Sequence, residues 1–193
     1  MVKDIFPGNL ASQPYLTAVG STLYFQASNG TNGYELWKSD GSADGTVMVK
    51  DINAGAADSS PSYLAVIGST LYFQAGDAAT GFELWRSDGS AESTVMVKDI
   101  NLGATSSTPS YLAAAGSTLY FQATDGLLGS ELWKSDGSAS GTVMVKDINL
   151  GASSSSPSYL AAIGSSIYFQ AGDGLVGSEL WKSDGSAEST VMV

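Results

Sequence analysis

A period of 48 residues runs through the chain and constrains its fold more than any other feature. Trp37, Trp85, Trp133 and Trp181 are spaced by 48, as are Tyr15, Tyr63, Tyr111 and Tyr159. Met48, Met96, Met144 and Met192 keep that interval, while the step from Met1 is 47 because the segment Phe6–Pro14 is one residue short. Self-similarity at this period means stacked supersecondary units, none of which buries its apolar surface alone. The 193 residues divide at about 1–47, 48–95, 96–143 and 144–191, and Met192-Val193 restarts the unit that Met1-Val2 also begins. Units 96–143 and 144–191 differ at nine of 48 positions. Recent duplication and deliberate design both produce such near-identity. The first unit is the outlier, with Phe6-Pro7-Gly8-Asn9-Leu10 where a later unit reads Asn101-Leu102-Gly103-Ala104.

Within a unit the signals are those of strands. In the second, Tyr63–Ile67 is a short apolar run ended by Gly68-Ser69. Thr70–Ala75 then alternates, with Leu71, Phe73 and Ala75 on one face and Thr70, Tyr72 and Gln74 on the other. Phe82–Arg86 predicts a third strand and Thr94–Ile100 a fourth, separated by Ser87-Asp88-Gly89-Ser90. In that turn an Asp side chain can bind backbone N–H groups and Gly accepts positive φ. No segment has helical spacing with caps, and β-branched and aromatic residues are enriched in the runs.

Four short antiparallel strands per unit of this length predict an all-β fold, a β-propeller of four-stranded blades with four blades per chain. The strands lack a clean polar face, as expected if each blade packs on its neighbours. The Tyr-Leu-Ala strand is expected innermost, because residues as small as Ala113, Ala114 and Ala115 let strands crowd round an axis. The Val-Met-Val-Lys-Asp-Ile strand, with Lys98 and Asp99, is expected at the outer edge. Phasing of the ends suggests that Met1–Ile5 completes the fourth strand of the last unit, closing a ring by interlocked termini. The domain 1–193 is then either a complete four-bladed propeller or half of an eight-bladed ring made by two chains. Bulky Tyr, Phe and Trp side chains between blades favour the wider, homodimeric ring over the monomeric one.

Glu-Leu-Trp-Lys-Ser-Asp-Gly-Ser occurs at 35–42, 131–138 and 179–186, and at 83–90 with Arg86 in place of Lys. This motif, with Tyr-Phe-Gln-Ala before it and Val-Met-Val-Lys-Asp-Ile after it, resembles the bacterial ELWxxDGT repeat family along essentially the whole chain. Ser42, Ser90, Ser138 and Ser186 stand where that family usually has Thr, which keeps a hydroxyl in the turn. The resemblance implies a propeller-like module from an exported bacterial parent protein and brings no catalytic residues with it. The Ser-Asp-Gly-Ser turn also looks like the Asp-box hairpin of sialidase-type propellers, a structural turn. Trp37, Trp85, Trp133, Trp181 and Asp40, Asp88, Asp136, Asp184 are accordingly expected to be architectural.

Composition excludes whole chemistries. The chain has no Cys and no His, so disulfides, Cys/His zinc sites, cysteine nucleophiles and His-based triads are absent. With 19 acidic and 8 basic residues the net charge is −11, the wrong sign for nucleic acid. No apolar run reaches the roughly 18 residues of a membrane span, and Met1–Leu10 lacks a signal-peptide layout.

Candidate sites are few. Asp77, Asp125 and Asp173, with Asn29 in the first unit, lie between the second and third strands. One carboxylate per loop is short of the six to eight oxygens that calcium takes, so they read as turn formers and only weakly as metal ligands. Glu35, Glu83, Glu131 and Glu179 precede each Trp by two residues and are expected to be partly buried against backbone donors. Lys50-Asp51 and its copies must find partners on neighbouring strands. Ser59-Ser60 and Ser153–Ser156 read as ordinary loops between blades, with hydroxyls that could touch sugars. An acid and a base need different surroundings, and near-identical blades do not provide them. The residues peculiar to the first unit, Phe6, Pro7, Asn9, Leu10 and Gln13, include no acid or base. The expected function is a non-enzymatic repeat scaffold that assembles into a propeller ring, without cofactor. The alternative is a multivalent glycan- or ligand-binding propeller. Tyr34 and Phe82 would form its aromatic platform, but Ser130 and Ser178 replace them in the later units.

Overall fold

The computed structural model describes residues 2–5 and 15–193. Met1 and the distinctive residues Phe6, Pro7, Asn9, Leu10 and Gln13 lie outside that range. Among the described residues, sixteen strands form four separate antiparallel sheets, each a meander in sequence order. The first blade holds β1 (Thr17–Val19), β2 (Thr22–Ala27), β3 (Glu35–Ser39) and β4 (Val47–Lys50). The second holds β5 (Ser62–Ile67), β6 (Thr70–Asp77), β7 (Gly81–Ser87) and β8 (Val95–Lys98). The third holds β9 (Ser110–Ala115), β10 (Thr118–Thr124), β11 (Ser130–Ser135) and β12 (Val143–Lys146). The fourth holds β13 (Ser158–Ile163), β14 (Ser166–Gly172), β15 (Ser178–Ser183) and β16 (Val191–Met192). The expected all-β, blade-like architecture is present.

The alternation read from Thr70–Ala75 decides which side chain meets which neighbour. Leu71, Phe73 and Ala75 face the first blade, where they pack with Tyr24, Leu36, Val49 and Ile52. On the opposite face, Tyr72 and Leu84 join Val97 and Ile100 against Leu119, Phe121, Ala123 and Trp133 of the third blade. The same partition recurs between the third and fourth blades. Every blade thus has a trailing face, carrying Phe and Trp, and a leading face, carrying Tyr, Leu, Val and Ile. Within each sheet the trailing Phe and Trp lie directly opposite each other, as Phe25↔Trp37, Phe73↔Trp85, Phe121↔Trp133 and Phe169↔Trp181. These cross-strand aromatic pairs fix the register, because a slip by one residue would move every apolar side chain to the other face.

First strands line the axis, where β5 touches β9 and β9 touches β13. A bulge early in each of these strands, between Ser62 and Ala65 in β5, holds Tyr63 at φ 52°. Tyr111 and Tyr159 have φ 55° at the same place. Left-handed φ at a bulky residue costs on the order of 1–3 kcal/mol and persists only when surrounding structure enforces it. The three rings follow one another with successive centroids 6.1 Å apart.

One expectation about the ends is only half met. Val2–Ile5 lies on the trailing face of the first blade, with Ile5 packed on Phe25, Trp37 and Met48 and Lys3 Nζ donating to the Thr46 carbonyl at 2.8 Å. Lys50, Lys98 and Lys146 make the same bond to Thr94, Thr142 and Thr190 of the following blade, at 2.7, 2.8 and 2.8 Å. Val2–Ile5 therefore occupies the place of a preceding blade's outer strand. It does not pair with β15 of the fourth blade, whose partner is its own β16. Closure of the ring is not formed among the described residues.

Leu132 is fully buried between the third and fourth blades. Its replacement by Ala is expected to lower unfolding free energy by about 2–5 kcal/mol, from lost transfer and the cavity left behind. Urea denaturation checks this, and a loss below about 1 kcal/mol would contradict the junction as the seat of stability.

Candidate functional site

The chemistry-bearing side chains converge on the blade-to-blade connections. Glu35 leaves β3 fully buried, and its carboxylate gathers donors from the chain that leads into the next blade. Oε2 accepts from Ile52 N at 2.9 Å and Ser59 Oγ at 2.5 Å, while Oε1 accepts from Ser59 N at 3.1 Å. Glu83 does the same with Ile100 and Ser107, and Glu131 with Ile148 and Ser155. A buried carboxylate is tolerated only when its lone pairs are used, and here three donors use them.

Ser59 and Ser155 are expected from the sequence to be ordinary loop serines, and Ser107 holds the same place in its connection. That reading is corrected: they are almost completely buried, because each hydroxyl is the carboxylate's side-chain donor. The missed signal is spacing, since each of these serines follows its Glu by 24 residues and precedes a Pro by two.

Asp40, Asp88, Asp136 and Asp184 sit in exposed turns. Asp40 Oδ1 accepts from Ser42 N at 2.8 Å and Ser42 Oγ at 2.7 Å, and Asp136 accepts likewise from Ser138. Asp88 and Asp184 accept from Ser90 N and Ser186 N and from the hydroxyls of Ser93 and Ser189. Beneath each turn a buried hydroxyl pair, such as Ser87–Thr94 at 2.8 Å, ties the end of the third strand to the start of the fourth. Asp77 Oδ1 accepts from Ala79 N and Thr80 N, Asp125 from Leu127 N and Leu128 N, and Asp173 from Leu175 N and Val176 N. Each closes its own turn, and among the described residues no three acidic side chains come together as a cation site.

The four Trp rings are buried on trailing faces. Their indole N–H groups have no hydrogen-bond partner among the described residues, so packing is what holds them. Lys98 and Lys146 reach over Trp133 and Trp181 of the next blade, 5.9 Å from the ring centroid. The lysine partners are carbonyls of the following blade rather than carboxylates. Asp51 Oδ2, beside Lys50, accepts from Asn32 Nδ2 at 2.7 Å and Gly55 N at 3.1 Å.

Tyr34 and Phe82 are half-buried and present no open platform. The repeated exposed aromatics are instead the axial tyrosines. Tyr15, Tyr63 and Tyr111, with Leu16, Thr17, Leu64 and Leu112, line an open cavity of about 430 Å³.

Burial holds the Glu35, Glu83 and Glu131 carboxyls above their usual range, and their serine and amide hydrogen bonds only partly offset it. In the exposed turns, hydroxyl and amide donors hold Asp40, Asp88, Asp136 and Asp184 below the usual range, and amide donors do so for Asp173. The signs oppose each other. The aspartates add stability above pH 3.8 that is lost as pH falls through their lower folded values. The glutamates add stability below pH 4.5 that is lost as pH rises through their higher folded values. Unfolding free energy is expected to fall from pH 4.5 towards 7, and to fall less steeply in Glu83→Gln. Denaturation across that range in both proteins checks it, and equal slopes would contradict the assignment.

No known family model matches the chain, and no curated protein does. Among solved structures, a TolB structure from Agrobacterium tumefaciens superposes with TM-score 0.53 at 13% identity, over 90% of this chain and 61% of its own. Prolyl oligopeptidase B from Galerina marginata, bound to a 35mer hydrolysis and macrocyclization substrate, gives 0.50 at 14% identity, over 90% and 24%. The computationally designed Ika8 protein gives 0.39 at 14% identity, over 92% and 63%. The chain thus spans about three fifths of the TolB and Ika8 chains. At such identity the likeness is one of fold alone, and the fold is propeller-like.

Proposed function

We propose that the chain is a non-enzymatic scaffold that assembles repeated blades into a closed β-propeller ring. The observation that carries this reading is where the polar groups are used. Glu35, Glu83 and Glu131 are saturated by donors of the inter-blade connection, and Asp40, Asp88, Asp136 and Asp184 are engaged by donors of their own turns. Equivalent carboxyls shift in the same direction in every blade where a shift occurs, the opposite of the split that an acid–base pair needs. The resemblance to ELWxxDGT repeats supports the same reading, that of a propeller module from an exported bacterial protein.

A scaffold of this kind needs both faces of every blade covered. The leading and trailing faces that meet three times inside the chain are the same pair left over at its two ends. Negative-stain class averages of the purified chain are expected to show annular particles with a central hole. Elongated or arc-shaped particles at all concentrations would defeat the ring.

A further inference from the structure

The end faces of the chain carry unfilled halves of the contacts that the inner junctions complete. Leu36, Leu84 and Leu132 are fully buried, but Leu180 at the same position on the leading face of the fourth blade is 51% exposed. Glu179 is exposed where its three counterparts are 0% exposed, and Ile163 is 67% exposed. On the trailing face of the first blade, Leu23 is 36% exposed where Leu71, Leu119 and Ile167 are fully buried. A smaller sign agrees. A Cβ at Gly89, Gly137 or Gly185 would overlap the hydroxyl of Tyr24, Tyr72 or Tyr120 from the preceding blade, whereas the space beside Gly41 is open.

Resting on the ring reading above, we infer that these two faces mate between two copies of the chain, head to tail, giving an eight-bladed ring with two equivalent seams. The occupant follows from matching residue with residue. Tyr168 of one copy meets Gly41 of the second, as Tyr120 meets Gly185. Lys182 reaches the Gly41 carbonyl of the second copy, as Lys38 reaches Gly89 and Lys134 reaches Gly185, at 2.8 and 2.7 Å. The Glu179 carboxylate receives Ile5 N of the second copy, as Glu131 receives Ile148 N. Lys3–Ile5 is already in place for this, seated on the first blade in the manner of a preceding outer strand and supplying the positions that follow Val193 of the fourth blade.

The number of blades follows from the axial tyrosines. Side chains related by a rotation about an axis cannot be inclined to each other by more than that rotation, and successive tyrosine planes are inclined by 45° and 49°. Both inclinations lie within 4° of the 45° step of an eight-bladed ring, and a twelve-bladed ring, which steps by about 30°, falls well short of them. Four blades leave both end faces open. Eight is the multiple of four that fits these angles and also covers both end faces. The contact is heterologous, and it closes after two copies because each spans half the circle.

Light scattering on the 193-residue chain, combined with the same class averages, tests the seam. The expected result is an annular particle of about 40 kDa, twice the 19.8 kDa of one chain. Leu180→Asp should halve that mass while keeping the far-ultraviolet circular dichroism of the parent, because Leu180 is half exposed within one chain. Leu175→Asp should leave the mass unchanged, because Leu175 is exposed and its counterpart Leu127 stays 75% exposed beside a completed junction. An annular particle of about 20 kDa would overturn the two-copy seam and leave the ring reading standing. A 40 kDa particle that survives Leu180→Asp, or another multiple of the chain mass, would also overturn the seam. Particles without a hole would remove both.

Discussion

The interaction on which the rest depends is the buried glutamate at each junction. A meander of four strands can follow another at many angles, because the connecting loop is long and irregular. Glu35, Glu83 and Glu131 remove that freedom by binding the end of their own outer strand and the loop that follows with one carboxylate. Charge-assisted bonds in a dry setting are short and strong, and breaking one partner leaves an uncompensated charge. Once the loop is pinned, the first strand of the next blade starts from a fixed point. The Tyr, Leu, Val and Ile face then meets the Phe and Trp face in one register.

Apolar burial supplies the bulk of the stabilisation at each junction, at roughly 1.5–3 kcal/mol for each fully buried Leu, Ile or Phe. Three junctions repeat the same set, and this repetition lets so few charged residues suffice. Lysines span the junctions by bonding carbonyls rather than carboxylates, so the strongly acidic composition leaves the contacts unopposed. The excess charge of −11 then acts chiefly on solubility.

Much of this was legible in the sequence, and the reason is repetition. Strand positions, the alternation over Thr70–Ala75, the innermost Tyr-Leu-Ala strand and the turn role of Asp88 each appear four times, so chance patterns cancel and real ones stay. What stayed hidden depends on pairing over distance. Nothing local marks Ser107 as the partner of Glu83, since a serine in a Ser-Thr-Pro stretch looks like solvent-facing loop. The left-handed Tyr63, Tyr111 and Tyr159 were equally unreadable, because the neighbouring strands impose that backbone state against the residue's own preference. Placement of Val2–Ile5 escaped for a third reason. The same four residues can complete a sheet or cover a face, and strand propensity is the same in either place.

The three junctions inside the chain are chemically alike. Recognition at a junction therefore carries no address: a leading face accepts any trailing face in the series. How many units complete a circle is a matter of angle alone, as with wedge-shaped stones in an arch. Inserting or deleting a whole 48-residue unit leaves every remaining joint with its full set of contacts. Removing part of one strips a glutamate of its Ile and Ser donors, so length can change in this protein only by quanta.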